Sequence, residues 1–319
     1  MAVPSDLAAL PKAELHVHLE GSVRPATLEE FAAREGVSIP RSFNDLNSFV
    51  EAYTLATRVM TAPGDYARLV REYCEDAARA GVRYAELEIS PAVTRGVQHR
   101  IAEAAETAAQ QRDVTVRLIL GLGRLMDPAI ALPALDVVKE LPGFVGLGLG
   151  GPEEGFTNDP FVEVFAEARR RGLRSVPHAG ENDGPASVRS ALDSLGAERI
   201  QHGVRSTEDP TLVAELVERR VALAVCPTSN LLLGVAPSIE EHPLRELWEA
   251  GVLVSVNTDD PGFFGCDLAG EYAIAGRALG LDRAGYAQLA RNSVEGSFAP
   301  EALKAELDAA IDEWAKRGA

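Results

Sequence analysis

Eight strand-length apolar runs, each ending in small or polar residues, constrain this chain more than any other feature. They are ELHVHL from Glu14, RYAELEIS from Arg83, VTVRLILGL from Val114, FVGLGLG from Phe144, RSVPHAGE from Arg174, RIQHG from Arg199, ALAVCPTSN from Ala222 and LVSVNTDDP from Leu253. Several are apolar on both faces, as strands covered by helices are. Between them lie segments of helical spacing: FVEVFAEARRRG ending at Gly172, ASVRSALDSLGA from Ala186, TLVAELVERR from Thr211 and LRELWEAG ending at Gly251. Gly172 and Gly251 are natural helix stops. Eight strands alternating with helices in 319 residues is the count and size of a single α/β domain, a (β/α)8 TIM barrel over residues 1–319; an open doubly wound sheet is the competing architecture. No Gly-rich phosphate fingerprint follows any strand: GLGLGG, from Gly146, lies within one and no GK[ST] follows it.

The spacing is uneven at one place. Residues 21–81 separate the first strand from the second, more than one helix and a loop require. Helical stretches are expected around Thr27–Glu35 and Tyr66–Ala80, with the partly apolar FNDLNSFVEAYTLATRVM between them. Emerging from the C-terminal end of the first strand, this helical insertion would lie over the barrel mouth as a lid. An ordinary helical elaboration that only adds core is the alternative. The stretch PEALKAELDAAIDEWAKRG from Pro300 reads as a final amphipathic helix without chemistry.

Charge and cysteine content narrow the function classes. With 48 acidic against 31 basic residues the net charge is −17, a surface that repels phosphate backbones and anionic membranes, so neither a nucleic-acid polymer nor a membrane is an expected partner. Cys74, Cys226 and Cys266 are too few and too scattered for a disulfide framework, which fits a reducing cytoplasm. MAVPSDLAALPKAEL has no basic region followed by an apolar core, and an unprocessed soluble protein is expected.

Of six histidines, His16, His18, His178 and His202 fall at or near C-terminal strand ends, together with Asp259 and Asp260. In a barrel those ends share one cavity. His16-Val17-His18 puts two imidazoles on one side of the pleat. Alone it reads equally as two hydrogen-bonded polar residues; with His178 and Asp259 it offers three nitrogens and a carboxylate, a set suited to one zinc ion with a position left for water. Glu181, three residues after His178, reads as a proton shuttle whose pKa burial should raise, or as a helix N-terminal acid. His202 is either a base orienting a metal-bound hydroxide or a satisfied core residue. Asp259 and Asp260 point to opposite faces on a regular strand, so both serve the site only if the chain turns, as Pro261 and Gly262 allow. His99 and His242 read as surface or loop residues, and Cys226 and Cys266 as small core or loop residues, none accompanying the histidines.

PKAELHVHLEGS (Pro11–Ser22), HAGE (His178–Glu181), RIQHG (Arg199–Gly203), CPTSN (Cys226–Asn230) and VNTDDPGFFG (Val256–Gly265) stand in an order that resembles the adenosine deaminase family of metal-dependent purine deaminases. The resemblance spans about four-fifths of the chain and implies a (β/α)8 barrel with one zinc held by His16, His18, His178 and Asp259. It further implies that Glu181 protonates purine N1 as hydroxide attacks C6, that His202 holds the hydroxide, that Asp260 meets N7 and that the backbone of Gly151 meets N3. Glu20 matches a position where adenosine-preferring members carry an aspartate that meets the ribose. Gln201 replaces a glycine of that group, and Gly148 replaces an acid near the fourth strand end.

The expected function is zinc-dependent hydrolytic deamination of a 6-aminopurine nucleoside, adenosine to inosine and ammonia, acting on a small-molecule purine. The alternatives within the class are aminodeoxyfutalosine, an N9-modified adenosine of a menaquinone route, and free adenine. A two-metal hydrolase on the same barrel lacks the bridging lysine at any strand end, and a non-catalytic purine sensor would be expected to lose a ligand or Glu181. The PCxxC signature of the cytidine-type zinc deaminases is absent, since CPTSN has one cysteine. Nothing in the chain sets an oligomeric state.

Overall fold

A computed structural model describes residues 3–43, 45–62, 64–90 and 98–317. The eight apolar runs form eight strands: β1 (Lys12–His18), β2 (Val82–Ile89), β3 (Thr115–Gly123), β4 (Phe144–Gly150), β5 (Arg174–Ala179), β6 (Arg199–His202), β7 (Ala222–Val225) and β8 (Val254–Val256). They pair in parallel in chain order. The ring closes through a parallel bridge between Val17 and Asp259, where His18 N donates to Asp259 O at 2.9 Å and Asp259 N to His16 O at 3.1 Å. The sheet is a (β/α)8 barrel.

Helices α1 (Pro25–Glu35), α2 (Leu46–Arg58) and α3 (Asp65–Arg79) fill the long first connection; α4 (Gln98–Arg112), α5 (Ala131–Lys139), α6 (Val162–Arg170), α7 (Pro185–Asp193) and α8 (Pro210–Glu218) follow successive strands. After β7 come α9 (Pro227–Leu232) and α10 (Leu244–Glu249), and after β8 come α11 (Pro261–Phe264), α12 (Leu268–Leu279), α13 (Arg283–Glu295) and α14 (Glu301–Lys316). Gly172 and Gly251, with φ of +85° and +83°, end α6 and α10 as expected of left-handed caps. The helix read from Pro300 is α14; Gly318 lies outside the described residues.

Two layers hold the barrel. Outward-facing Leu15, Val17, Ile200, Leu223 and Val254 belong to one apolar cluster with the surrounding helices. Inside, Arg199 of β6 donates to Glu86 of β2 at 2.5 Å and to Leu15 O at 3.1 Å. Since β2 and β6 are not neighbours in the sheet, this fully buried pair spans the interior and floors the cavity above it.

The long connection divides differently from the expectation. α3 packs on β2 and α4, so it is the outer helix of the first βα unit, and only α1 and α2 are additional. α2 is pinned over the mouth by aromatic packing on α11: Phe49 stands 5.7 Å from Phe263 and 5.1 Å from Phe264 between ring centroids.

Candidate active site

The period-2 pleat of β1 turns both His16 and His18 to the same side, with ring centroids 5.6 Å apart. β5 delivers His178, β6 ends at His202, and Asp259 follows β8. At the barrel mouth a cavity of about 200 Å³ is lined by His18, His178, Glu181, His202, Asp259 and Asp260, with Gly150 and Gly151. The turn that brings both aspartates inward is made by Asp259 itself, whose φ is +64°. Pro261 and Gly262 instead begin α11.

His16 Nε2 lies 3.1 Å from His178 Nε2 and 3.2 Å from Asp259 Oδ1, and His18 Nε2 lies 3.3 Å from the same oxygen. Four donors around an ion at 2.0–2.1 Å stand about 3.3 Å from one another at a tetrahedron's edges. The protonation pattern supports the same use. His16 Nδ1 faces the carbonyl of Ala224 at 3.1 Å and His178 Nδ1 that of Leu149 at 3.1 Å. A carbonyl only accepts, so each Nδ1 carries a proton, and in the neutral ring each Nε2 then presents a lone pair. Two lone pairs 3.1 Å apart have no proton between them, an arrangement that fits a cation. Ligand-type atoms of His16, His178, His202 and Asp259 lie within 4.8 Å of one another, as do those of His18, Asp259 and Asp260 and those of His18, Glu88 and His178.

Glu181 faces the centre with Oε1 unpartnered and 3.6 Å from His202 Nε2. Burial, then the charges of Asp259 and Glu153, push its carboxyl well above the usual range. Burial and Asp259 likewise push Asp260 up, and its Oδ1 is also unpartnered. Gly21 makes room for Asp260: a Cβ there would fall 1.6 Å from Oδ1. Burial pushes His202 down to about 3, leaving the ring neutral.

The remaining expected residues lie at the cavity wall or behind it. Gly151 lines the cavity with φ +88°. The oxygens of Glu20 are engaged by Tyr53 Oη at 3.2 Å and Ser90 N at 3.1 Å, and Tyr53 and Ser90 are what line the cavity. Gln201 is buried, with Nε2 3.3 Å from Leu15 O. Gly148 and Gly121 leave the space filled by the Glu88 carboxyl of β2, whose Oε2 has no partner. The outer wall is apolar: Leu46, Phe49 and Val50 of α2, with Leu122, Met126 and Leu233.

Two readings of single residues need correction. His242 lies in a loop, as expected, but not at the surface; it is 3% exposed and bonded on both ring nitrogens. Cys226 does accompany a histidine, with Sγ 3.4 Å from His16 Nδ1. That is the side of the ring away from the cluster, and burial pushes the thiol well up. His99 is exposed, as expected. Glu153, which no sequence motif marks, has a carboxylate that accepts from Gly180 N, Glu181 N, Asn182 N and Ser187 Oγ at 2.5–3.1 Å. It stands two residues after Gly151, but its partners follow only from the fold.

The adenosine deaminase family profile matches residues 11–314. The chain belongs to the adenosine deaminase family. It is 42% identical to aminodeoxyfutalosine deaminase of Streptomyces avermitilis over 97% of this chain and 92% of that one. Among solved structures it is similar to the adenine deaminase of Arthrobacter aurescens, with a TM-score of 0.91 at 35% identity over 97% of this chain and 100% of that one. It is also similar to an amidohydrolase of Burkholderia ambifaria with bound Zn, with a TM-score of 0.87 at 28% identity over 99% and 96% of the two chains. As an adenosine deaminase family member the protein is a hydrolase acting on C–N bonds of cyclic amidines, of a metal-dependent kind. No described helix is long and apolar enough to cross a membrane.

Proposed function

We propose that this protein is a zinc-dependent deaminase of a 6-aminopurine, with His16, His18, His178 and Asp259 holding one zinc ion and aminodeoxyfutalosine as the substrate. The observation that carries the reaction class is the convergence of His16 Nε2, His178 Nε2 and the Asp259 carboxylate, 3.1 and 3.2 Å apart, with the buried Glu181 carboxyl, pushed well above its usual range, beside them. Zinc bound there supplies a water acidified towards neutrality at the purine carbon. Glu181 gives its proton to ring nitrogen N1, which makes C6 electrophilic, and is itself reprotonated by the proton the water loses as its oxygen adds to C6; when the C6–N bond breaks, the amino group takes the proton of the added hydroxyl and leaves as ammonia. His202 orients the water, Asp260 in its protonated form donates to N7, and the amide of Gly151 donates to N3. α2 covers the mouth and excludes solvent.

The substrate is read from the walls. The same cavity is lined by the apolar side chains of Leu46, Phe49, Val50, Met126 and Leu233, which suit an apolar extension on the sugar of a nucleoside. The relatives align with this: one is an aminodeoxyfutalosine deaminase. Free adenine is the second reading, favoured by the likeness to an adenine deaminase structure, and adenosine itself has no specific support among the relatives. Ammonia release from aminodeoxyfutalosine, adenine, adenosine and 2′-deoxyadenosine, measured side by side, tests the choice. The expected result is the highest kcat/KM on aminodeoxyfutalosine; a preference for adenine would overturn it.

A further inference from the structure

We propose that Asn230 and His242 are positioning residues that fix which ring nitrogen of His202 carries its proton, so that His202 meets the cavity with an N–H and not a lone pair. One donor in this chain of contacts is unambiguous. The backbone N–H of Leu244 donates to His242 Nδ1 over 3.0 Å, so that nitrogen is a bare acceptor. A neutral imidazole with bare Nδ1 carries its proton on Nε2. His242 Nε2 stands 3.1 Å from Asn230 Oδ1, which accepts from it. The amide is thereby oriented, and its other end donates: Asn230 Nδ2 lies 3.2 Å from His202 Nδ1. A reversed amide would set two donors against each other at His242. His202 Nδ1 is then an acceptor, and Nε2 bears the hydrogen.

Every link is shielded from water, with Asn230 0%, His202 1% and His242 3% exposed. Burial holds the His242 ring down at about 4, so it is neutral at physiological pH. The N–H of His202 points into a gap 3.6 Å from Glu181 Oε1 and 3.8 Å from Asp259 Oδ2, wider than a direct hydrogen bond on both sides.

The contrast with the other two rings gives the arrangement its meaning. Carbonyl oxygens force lone pairs onto the Nε2 atoms of His16 and His178, whereas an amide N–H forces a hydrogen onto that of His202. Four ligand-type residues within 4.8 Å thus separate by chemistry: a protonated Nε2 does not bind a metal, and His202 is left to hold oxygen. Resting on the proposed reading of His202, its N–H fixes the attacking water by its oxygen; a lone pair there would turn the water the other way.

The test is ring ¹⁵N NMR of zinc-loaded protein labelled in histidine, with kcat and KM for Asn230→Asp and His242→Gln. In the wild type the His202 signals should show a protonated Nε2 and a bare Nδ1. The aspartate of Asn230→Asp has no donor, so it should draw the proton to Nδ1 and lower kcat about 10²–10⁴-fold with KM and zinc content kept, as a reversed tautomer does in a serine-protease triad. His242→Gln, whose amide N–H replaces the lost donor, should keep the tautomer and most of kcat. A proton on Nδ1 in the wild type, or Asn230→Asp with a switched tautomer and wild-type kcat, would overturn the proposal. The wild-type spectrum decides it even where a variant does not fold. A wild type that shows this tautomer but deaminates no purine would instead sink the functional reading alone.

Discussion

A carboxyl removed from water and set beside other negative charge keeps its proton, and Glu181 is in that position. Glu181→Gln keeps the side chain's size and removes only the transferable proton. It should lower kcat about 10²–10⁴-fold with zinc content and ligand binding intact, and near-wild-type turnover would remove Glu181 from the shuttle role. Because the proton is held only below the raised pKa, the rate should fall as pH climbs through it on the alkaline side; a profile flat into the alkaline range would speak against the assignment. His242 gives a prediction about stability. Its ring is lowered from 6.5 to about 4 when folded, so between those values the unfolded chain binds more protons and stability is lost as pH falls. The linkage is worth about 3 kcal/mol, and His242→Gln should make acid unfolding less steep; an unchanged slope would contradict it. The sequence made His16, His18, His178, Glu181 and Asp259 legible because strand ends converge by topology. Asn230, His242 and Glu153 were not, since their roles lie in partners 12 to 34 residues away, which no spacing rule reports.

At the scale of elements, the β5–α7 loop holds Glu181, the proposed proton shuttle, in place. Gly180, with φ +67°, turns the chain so that three successive amides point at Glu153, and Ser187 completes a set of four donors around its carboxylate. Arg124, at the end of β3, holds the start of the same loop by donating to His178 O at 2.5 Å. In Glu153→Gln the amide NH₂ would confront donors it cannot satisfy, costing about 1–3 kcal/mol. Glu181 would lose its aim, so kcat should fall with little change in KM. Loss of KM and kcat in equal measure, or of neither, would show that the loop holds itself. His202 and Asp259 both carry left-handed backbones, φ +62° and +64°, an expense of about 1–3 kcal/mol each that neighbouring structure must offset. The strands were readable element by element because each is an apolar run. A cover over the mouth was legible in the long first connection, but not that α2 supplies it, because the apolar face of α2 packs on α11 from the far end of the chain and resembles a core helix in sequence.

At the scale of the whole molecule, closing eight strands brings the ends of β1, β5, β6 and β8 together, and everything the site needs comes from residues distant in sequence. Strand count, order and the position of the mouth were all legible; the polar floor of Arg199 and Glu86 was not, because a buried ion pair across a barrel looks like two ordinary charged residues in a strand. The most direct measurement is ammonia release from aminodeoxyfutalosine and adenine by the protein before and after metal removal with a chelator, then after titration with zinc. Activity that disappears with the metal, returns at one zinc per chain and is absent from metal-loaded Glu181→Gln is the predicted result. Undiminished turnover by the metal-free protein, or none from the zinc-loaded wild type, would contradict the account.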